Sequence, residues 1–126
     1  MVQTLLKKAE TDLLNTTILR DSTQGNPESI GFHVQQAVEK SLKAILVFNV
    51  IDYPRTHSIA RLAQLVSDNK INLPAAYLES NRYTSYARDL KYEELSPNEE
   101  FDFDEAIAHA AECVNFAKSL LDEALS

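Results

Sequence analysis

The chain of 126 residues contains one cysteine, two glycines and no tryptophan. The single Cys113 excludes an intramolecular disulfide framework and a zinc site built from several cysteines, and it favours a reducing cytoplasm. The two separated glycines exclude a glycine-rich phosphate loop. No apolar run approaches the length of a membrane span, and the opening MVQTLLKKAETDL lacks the apolar core of a signal peptide. We therefore expect a protein that is neither exported nor embedded in a membrane.

Positive charge is also scarce. Lysine and arginine total 12 against 19 aspartates and glutamates, which gives a formal net charge of −7. A surface of this sign repels a phosphate backbone, so any binding of a nucleotide or RNA requires a local basic patch. The length and the 44% hydrophobic content are ordinary for a globular protein, and they predict one domain over residues 1–126.

Apolar residues recur at three- and four-residue steps along most of the chain, whereas no strand-like alternation of useful length occurs. The pattern predicts helices over 2–20 and 27–50, a third from near Ser58, a helical start after Pro74 and a last helix over 103–124. Together they predict an all-α, antiparallel up-and-down bundle of four or five helices. The first helix is expected to bury one apolar stripe, made of Leu5, Leu6, Ala9, Leu13, Leu14 and Ile18.

The helix over 27–50 separates apolar from polar residues on a helical wheel with roughly 100 degrees per residue. Val34, Val38, Leu42 and Ile45 fall on one side. The opposite side is predicted to form one polar surface, made of His33, Gln36, Glu39, Lys40 and Lys43. The simplest interpretation of this surface is a solvated face with an ordinary Glu39–Lys43 pair at i and i+4.

The same wheel places Val47 and Val50 on the polar side. A fully solvated face seldom continues into aliphatic residues. We therefore expect the carboxyl-terminal half of this helix to be covered on both sides, by the rest of the domain or by a second subunit.

Histidines provide few candidates for chemistry. His57 lies beside a predicted helix start, where Thr56 or Ser58 can cap free amides, so a structural role for His57 competes with a catalytic one. His33 and His109 are weaker candidates. No two histidines share helical spacing with a carboxylate, and the sequence predicts neither a metal site nor a cofactor.

Cations and tyrosines are concentrated between residues 82 and 92, in contrast to the acidic remainder. Side chains such as Tyr86, Arg88 and Tyr92 can stack on a base and pair with phosphate. The same residue types also anchor protein interfaces. The segment therefore predicts either a nucleotide site or a protein contact.

The run FHVQQAVEKSLKAIL at 32–46, followed by THSIARL at 56–62, resembles the signature of HEPN domains. These domains are named for their occurrence in higher eukaryotes and prokaryotes and for nucleotide binding. The resemblance extends to the opening helix with AETDL, to RYTSYARD and to a closing amphipathic helix. It implies an antiparallel helical bundle, commonly a homodimer, often encoded beside a minimal nucleotidyltransferase with which it forms a toxin–antitoxin pair.

Many HEPN toxins are metal-independent ribonucleases that carry an arginine followed after four to six residues by a histidine. None of the arginines in this chain, at positions 20, 55, 61, 82 and 88, has a histidine at that distance. The resemblance thus favours a binding role and leaves the question of catalysis open. If RNA were cleaved, the candidate catalytic residues would be His57 as a base and either Arg88 or Lys40 as a cation.

Three hypotheses follow. The first is a homodimeric HEPN accessory protein that binds a nucleotide or a minimal nucleotidyltransferase in a groove. The groove would be bordered by Gln36, Glu39, Lys40, Lys43, His57, Tyr86, Arg88 and Tyr92. The second is a metal-independent ribonuclease toxin with a non-standard site. The third is a purely structural interaction module in which Glu39 and Lys43 form a buried or half-buried pair.

Overall fold

The computed structural model describes residues 2–21, 27–79 and 103–125, and its regular elements are all helices. The predicted all-α bundle is confirmed. None of the helices in these ranges is long and apolar enough to cross a bilayer. The helices are α1 (Val2–Asp21), α2 (Pro27–Phe48), α3 (Ile59–Asp68), α4 (Ala76–Glu79) and α5 (Phe103–Leu125).

Helix α2 lies at the centre of the bundle and packs against α1, α3 and α5. Helices α1 and α5 also pack against each other. They run antiparallel, because Arg20 near the end of α1 pairs with Asp104 at the start of α5, whereas Glu10 pairs with Lys118 further along α5. The predicted apolar side of α2 forms the middle of the core, with Val34, Val38, Leu42 and Ile45 fully buried.

The buried face of α1 differs from the predicted stripe. Leu14 and Ile18 are 59% and 55% exposed, whereas Asp12 and Thr16 are buried. Asp12 and Thr16 continue the three- and four-residue steps of Leu5 and Ala9 along the helix, so they face the same neighbour. The prediction that Leu14 and Ile18 are buried was wrong. The side of α1 that carries Asp12 is buried instead, because α2 supplies polar partners for the Asp12 carboxylate.

Helix α2 ends at Phe48, two residues before the predicted end. The Val50 amide donates to the carbonyl of Val47 over 3.1 Å, and the Ile51 amide donates to that of Leu46 over 2.9 Å. This pair of hydrogen bonds is a Schellman motif, which requires a left-handed residue just beyond the helix. Val50 takes that conformation, with φ of 57°.

The end of α3 repeats this motif at Lys70, which has φ of 66°. Amides of Lys70 and Ile71 donate to the carbonyls of Ser67 and Val66. Glycine is the usual residue at such positions, and a β-branched valine with positive φ is strained. The scarcity of glycine in this chain therefore has a local energetic cost at the ends of two helices.

The expectation that the second half of α2 is covered on both sides is met only in part. Ala44, Ile45 and Leu46 have no exposed surface, whereas Val50 is 92% exposed. Val50 lies beyond the end of the helix, at the left-handed position of the Schellman turn. The helical wheel could not anticipate this, because it assumed that the helix continued to Val50.

A buried hydroxyl ties α4 to α5 and α2. Tyr77 is fully buried, and its hydroxyl donates to the carbonyl oxygen of Cys113 over 2.6 Å. The Ser41 hydroxyl of α2 lies 3.2 Å from the same oxygen of Tyr77. Burial raises the pKa of Tyr77 well above its ordinary value, because the phenolate would lose its hydration, and the nearby Cys113 adds to this effect. Tyr77 is therefore a neutral hydrogen-bonded link in the core.

Candidate functional site

The polar side chains of α2 are held by two carboxylates, one from α1 and one from α2 itself. We call the first group the Asp12 cluster, which consists of Asp12, His33 and Lys40. The second, the Glu39 cluster, consists of Glu39, Lys43 and His57. Each cluster contains one carboxylate, one lysine and one histidine.

The Asp12 cluster joins α1 to α2. His33 Nδ1 lies 2.9 Å from Asp12 Oδ1, and Lys40 Nζ lies 2.5 Å from Asp12 Oδ2. His33 and Lys40 are seven residues apart, which places them two turns apart on one side of α2. Asp12 reaches between them, so each of its oxygens has its own partner. The Asp12 side chain is only 10% exposed, and these two contacts offset the cost of removing its carboxylate from water.

The Glu39 cluster joins α2 to the residue preceding the N-cap of α3. His57 Nδ1 lies 2.9 Å from Glu39 Oε1, and Lys43 Nζ lies 3.5 Å from Glu39 Oε2. Lys43 Nζ is also 6.0 Å from the centroid of the Tyr53 ring. The Glu39 side chain is only 3% exposed, whereas the His57 side chain is 80% exposed. A buried carboxylate therefore holds an exposed imidazole.

The backbone at His57 is fixed by the start of α3. Ser58 is the N-cap, and its hydroxyl oxygen accepts a hydrogen bond from the Arg61 amide, as predicted for this position. The Ser58 amide donates to the Thr56 hydroxyl, and the Gln35 side chain donates to the His57 carbonyl oxygen. The imidazole of His57 is therefore positioned from both its main chain and its Nδ1 atom.

The prediction of one polar surface on α2 is wrong for Glu39, which is buried with 2% of its surface exposed. Glu39 and Lys40 are neighbours in sequence, so their side chains leave the helix about 100 degrees apart and join different clusters. Gln36 precedes them by three and four residues, which places it between the two clusters. The simple interpretation of Glu39–Lys43 as a solvated pair is thereby excluded.

The cations of both clusters lie closer to solvent than the carboxylates do. The Lys40 and Lys43 side chains are 24% and 18% exposed, against 10% for Asp12 and 3% for Glu39. A dissolved anion would therefore meet the ammonium groups and imidazoles first. In the described part of the chain, no group of three or more histidine, cysteine or acidic side chains is arranged to hold a metal ion.

The predicted site residues on α2 and before α3 are thus brought together in part. Glu39, Lys43 and His57 are in contact, and Lys40 lies in the neighbouring cluster. Tyr86, Arg88 and Tyr92 lie outside the described residues, so their predicted roles stay predictions. Sequence reasoning missed Asp12, whose register with Leu5 and Ala9 was the available signal, and it underrated His33.

A separate groove of about 210 Å³ lies between α1 and α5, lined by residues that include Leu6, Leu121, Lys7 and Lys118. None of its lining residues belongs to either cluster. Lys118 is half-exposed, and its Nζ lies 3.4 Å from Glu10 Oε1. This lysine on another face is a suitable control for experiments on Lys40 and Lys43.

Comparison with known proteins places this arrangement in a family. The HEPN domain family matches residues 2–120. The crystal structure of an archaeal HEPN homologue is similar, with a TM-score of 0.69 and 28% sequence identity over 95% of this chain and 97% of that one. A search of curated proteins found no match. The chain, with its central α2 and closing α5, belongs to the HEPN domain family.

Proposed function

We propose that this protein is a HEPN accessory protein of the cytoplasm that acts as a homodimer in a toxin–antitoxin-like system. It binds a nucleotide, or a minimal nucleotidyltransferase partner, at the surface between the Asp12 and Glu39 clusters. The observation that carries this proposal is the pair of buried carboxylates, which hold Lys40 and Lys43 on neighbouring sides of α2. Tyr86, Arg88 and Tyr92 are expected to complete the surface.

The carboxylates of the two clusters lie deeper in the protein than the lysines do. Two carboxylates and two lysines cancel formally, yet the carboxylates lie beneath the cations. A phosphate group approaching from solvent therefore experiences the two ammonium groups at shorter range than the carboxylates. Because the lysines are already ordered by ion pairs, a phosphate would cost less side-chain entropy to bind than it would at two free lysines.

Titration of the purified protein with nucleoside triphosphates, and separately with a minimal nucleotidyltransferase, tests this proposal. Lys40→Gln and Lys43→Gln should each weaken binding about tenfold, since each removes one charge-assisted contact. Lys118→Gln is the matched control and should bind as the unmodified protein does. Absence of binding to both probes would refute the proposal.

The homodimer is supported by apolar side chains that remain exposed on α2 and at its end. Phe32, Phe48 and Val50 are 51%, 36% and 92% exposed. Val50 is also strained by its positive φ, and its exposure suggests a contact outside the domain. A two-fold interface would bury the same residues on both subunits.

Val50→Gly separates the strain from the contact. Glycine relieves the left-handed conformation, so the free energy of unfolding of the monomer should rise by about 1 kcal/mol. The loss of the side chain should weaken self-association, as measured by sedimentation equilibrium. Lys70→Gly is the control, because it relieves the same strain at the end of α3 and should leave association unchanged. Equal association of both variants would exclude Val50 from the interface.

A metal-independent ribonuclease is the second candidate, and the Glu39–His57 contact favours it. A carboxylate accepts hydrogen bonds only, so His57 Nδ1 carries a proton and Nε2 can act as a base. Expression in a sensitive host of the unmodified protein, His57→Ala and Arg88→Ala tests this function. Growth arrest that both substitutions abolish, and that His109→Ala retains, would favour the nuclease. Harmless expression of the unmodified protein would exclude it.

A further inference from the structure

The three histidines of the chain lie in different environments, and one combines exposure with a carboxylate partner. His33 contacts Asp12 but its side chain is only 26% exposed. His109 is half-buried within α5. His57 has an 80% exposed side chain whose Nδ1 atom is held by Glu39. His57 therefore presents a carboxylate-backed imidazole to a reactant from solvent.

The contact with Glu39 determines which nitrogen of His57 is reactive. Since the carboxylate accepts the Nδ1 proton, the lone pair of the neutral ring lies on Nε2. The carboxylate also stabilises the positive charge that develops on the ring when Nε2 attacks an electrophile. Burial of Glu39 strengthens this stabilisation, because water screens the interaction less than it would at the surface.

We propose that His57 is a phosphoryl-acceptor site, modified at Nε2. In the step, the Nε2 lone pair forms a bond to the phosphorus of a phosphoryl donor, and the bond from phosphorus to the leaving group breaks. The leaving group takes that electron pair, and no atom is oxidised or reduced. Nδ1 keeps its proton, and the positively charged ring remains paired with Glu39.

The neighbouring cation supports this role. Lys43 shares Glu39 with His57, since its Nζ atom lies 3.5 Å from Oε2 while His57 lies 2.9 Å from Oε1. The Lys43 ammonium is therefore within the same small cluster as the acceptor nitrogen. It can attract the phosphoryl oxygens of a donor while Glu39 orients the ring. This proposal does not depend on nucleotide binding or on a protein partner.

Phosphoramidate is the probe that tests it, with ammonia as the leaving group. The full-length protein is incubated with phosphoramidate at neutral pH, and the product is analysed by ³¹P NMR and by mass spectrometry of peptides. We expect one phosphate on His57, carried only by Nε2. Phosphorylation of His33 or His109 at a similar rate would overturn the proposal, as would a mixture of Nδ1 and Nε2 products on His57.

Variants separate reactivity from mere exposure. Glu39→Gln should slow the reaction about tenfold, since it removes the charge of the hydrogen-bond acceptor. His109→Gln, on a helix that contributes to neither cluster, should leave the rate unchanged, and His57→Gln should abolish labelling. An unchanged rate in folded Glu39→Gln would refute the role of the carboxylate.

The urea-unfolded protein provides a test that does not require the variant to fold. Without the Glu39 contact, we expect both nitrogens of His57 to be labelled, whereas the folded protein gives the Nε2 product alone. Identical isomer ratios in the folded and unfolded protein would overturn the proposal whether or not Glu39→Gln is stable.

Discussion

The Asp12 and Glu39 clusters have the same composition but connect different parts of the molecule. Asp12 links two long helices, and both of its partners are largely covered, with His33 26% and Lys40 24% exposed as side chains. Glu39 links α2 to the residue preceding the cap of α3, and one of its partners, His57, is largely exposed. The first cluster therefore stabilises the α1–α2 interface, whereas the second presents an oriented imidazole.

Asp12→Ala should have the largest effect on stability. It leaves Lys40 and His33 without their shared carboxylate inside a helix–helix interface, and the expected loss is about 3 kcal/mol in the free energy of unfolding. Urea denaturation measures it. Glu10→Ala on the same helix removes the half-exposed pair with Lys118 and should cost under about 1 kcal/mol. Similar losses in the two variants would mean that the Asp12 cluster behaves as a surface pair.

Glu39→Ala should cost about 2 kcal/mol, less than Asp12→Ala. The buried side chain leaves a void and unpairs Lys43, but His57 already faces water and needs no replacement partner. The same urea measurement tests it. A loss below about 0.5 kcal/mol would count against any structural role for this carboxylate, including the hypothesis of a purely structural interaction module.

Tyr77→Phe removes a neutral polar contact from the core and allows a comparison with the charged clusters. It leaves the carbonyl oxygen of Cys113 without the Tyr77 donor, so we expect a loss of about 1.5 kcal/mol at neutral pH. The raised pKa of Tyr77 adds a second signature, because the folded state retains a proton that the unfolded chain releases above about pH 10. Stability should therefore fall as pH rises beyond that point.

The alkaline part of this measurement has its own control. Tyr77 should contribute a slope of up to about 1.4 kcal/mol per pH unit above pH 10. Tyr77→Phe lacks this contribution, so its stability should fall less steeply over the same range. Parallel pH profiles in the two proteins would contradict the burial of the hydroxyl.

The smallest effects should come from the histidines themselves. His33→Ala is expected to cost about 1 kcal/mol, because it removes one of the two partners of a buried carboxylate. His57→Ala should cost under about 0.5 kcal/mol, since most of that ring is already in water. Thermal unfolding of both variants at equal concentration compares them directly. A larger loss of stability in His57→Ala than in His33→Ala would contradict the view that His33 stabilises the bundle and His57 does not.

Much of the bundle could be predicted from residue spacing. The apolar side of α2 was predicted correctly, and the predicted third helix forms from Ile59 and buries Ile59, Leu62 and Val66 at three- and four-residue steps. The prediction for α1 was less accurate, because the sequence of this helix allows either of two faces to be buried. Leu14 and Ile18 favoured one face, while the pairing of Asp12 with α2 selected the other.

The candidate site was less predictable than the fold. Spacing correctly placed Glu39 and Lys43 one turn apart, but it could not reveal that Glu39 is buried and that His57 approaches it from outside the helix. It could not pair His33 and Lys40 with Asp12 either, since these contacts join residues 21 and 28 positions apart. Such contacts depend on how two helices pack.

The helical class, the family resemblance and the residues available for chemistry follow from the sequence alone, because helical periodicity and the FHVQQAVEKSLKAIL run are local properties of the chain. Which charged side chains are buried depends on how the helices pack. The free energy of burying a carboxylate depends on the partners that other segments bring to it. For this reason the helical pattern and the family signature of α2 could be recognised from its residues. The difference between the Asp12 and Glu39 clusters could not, because it depends on contacts with other segments.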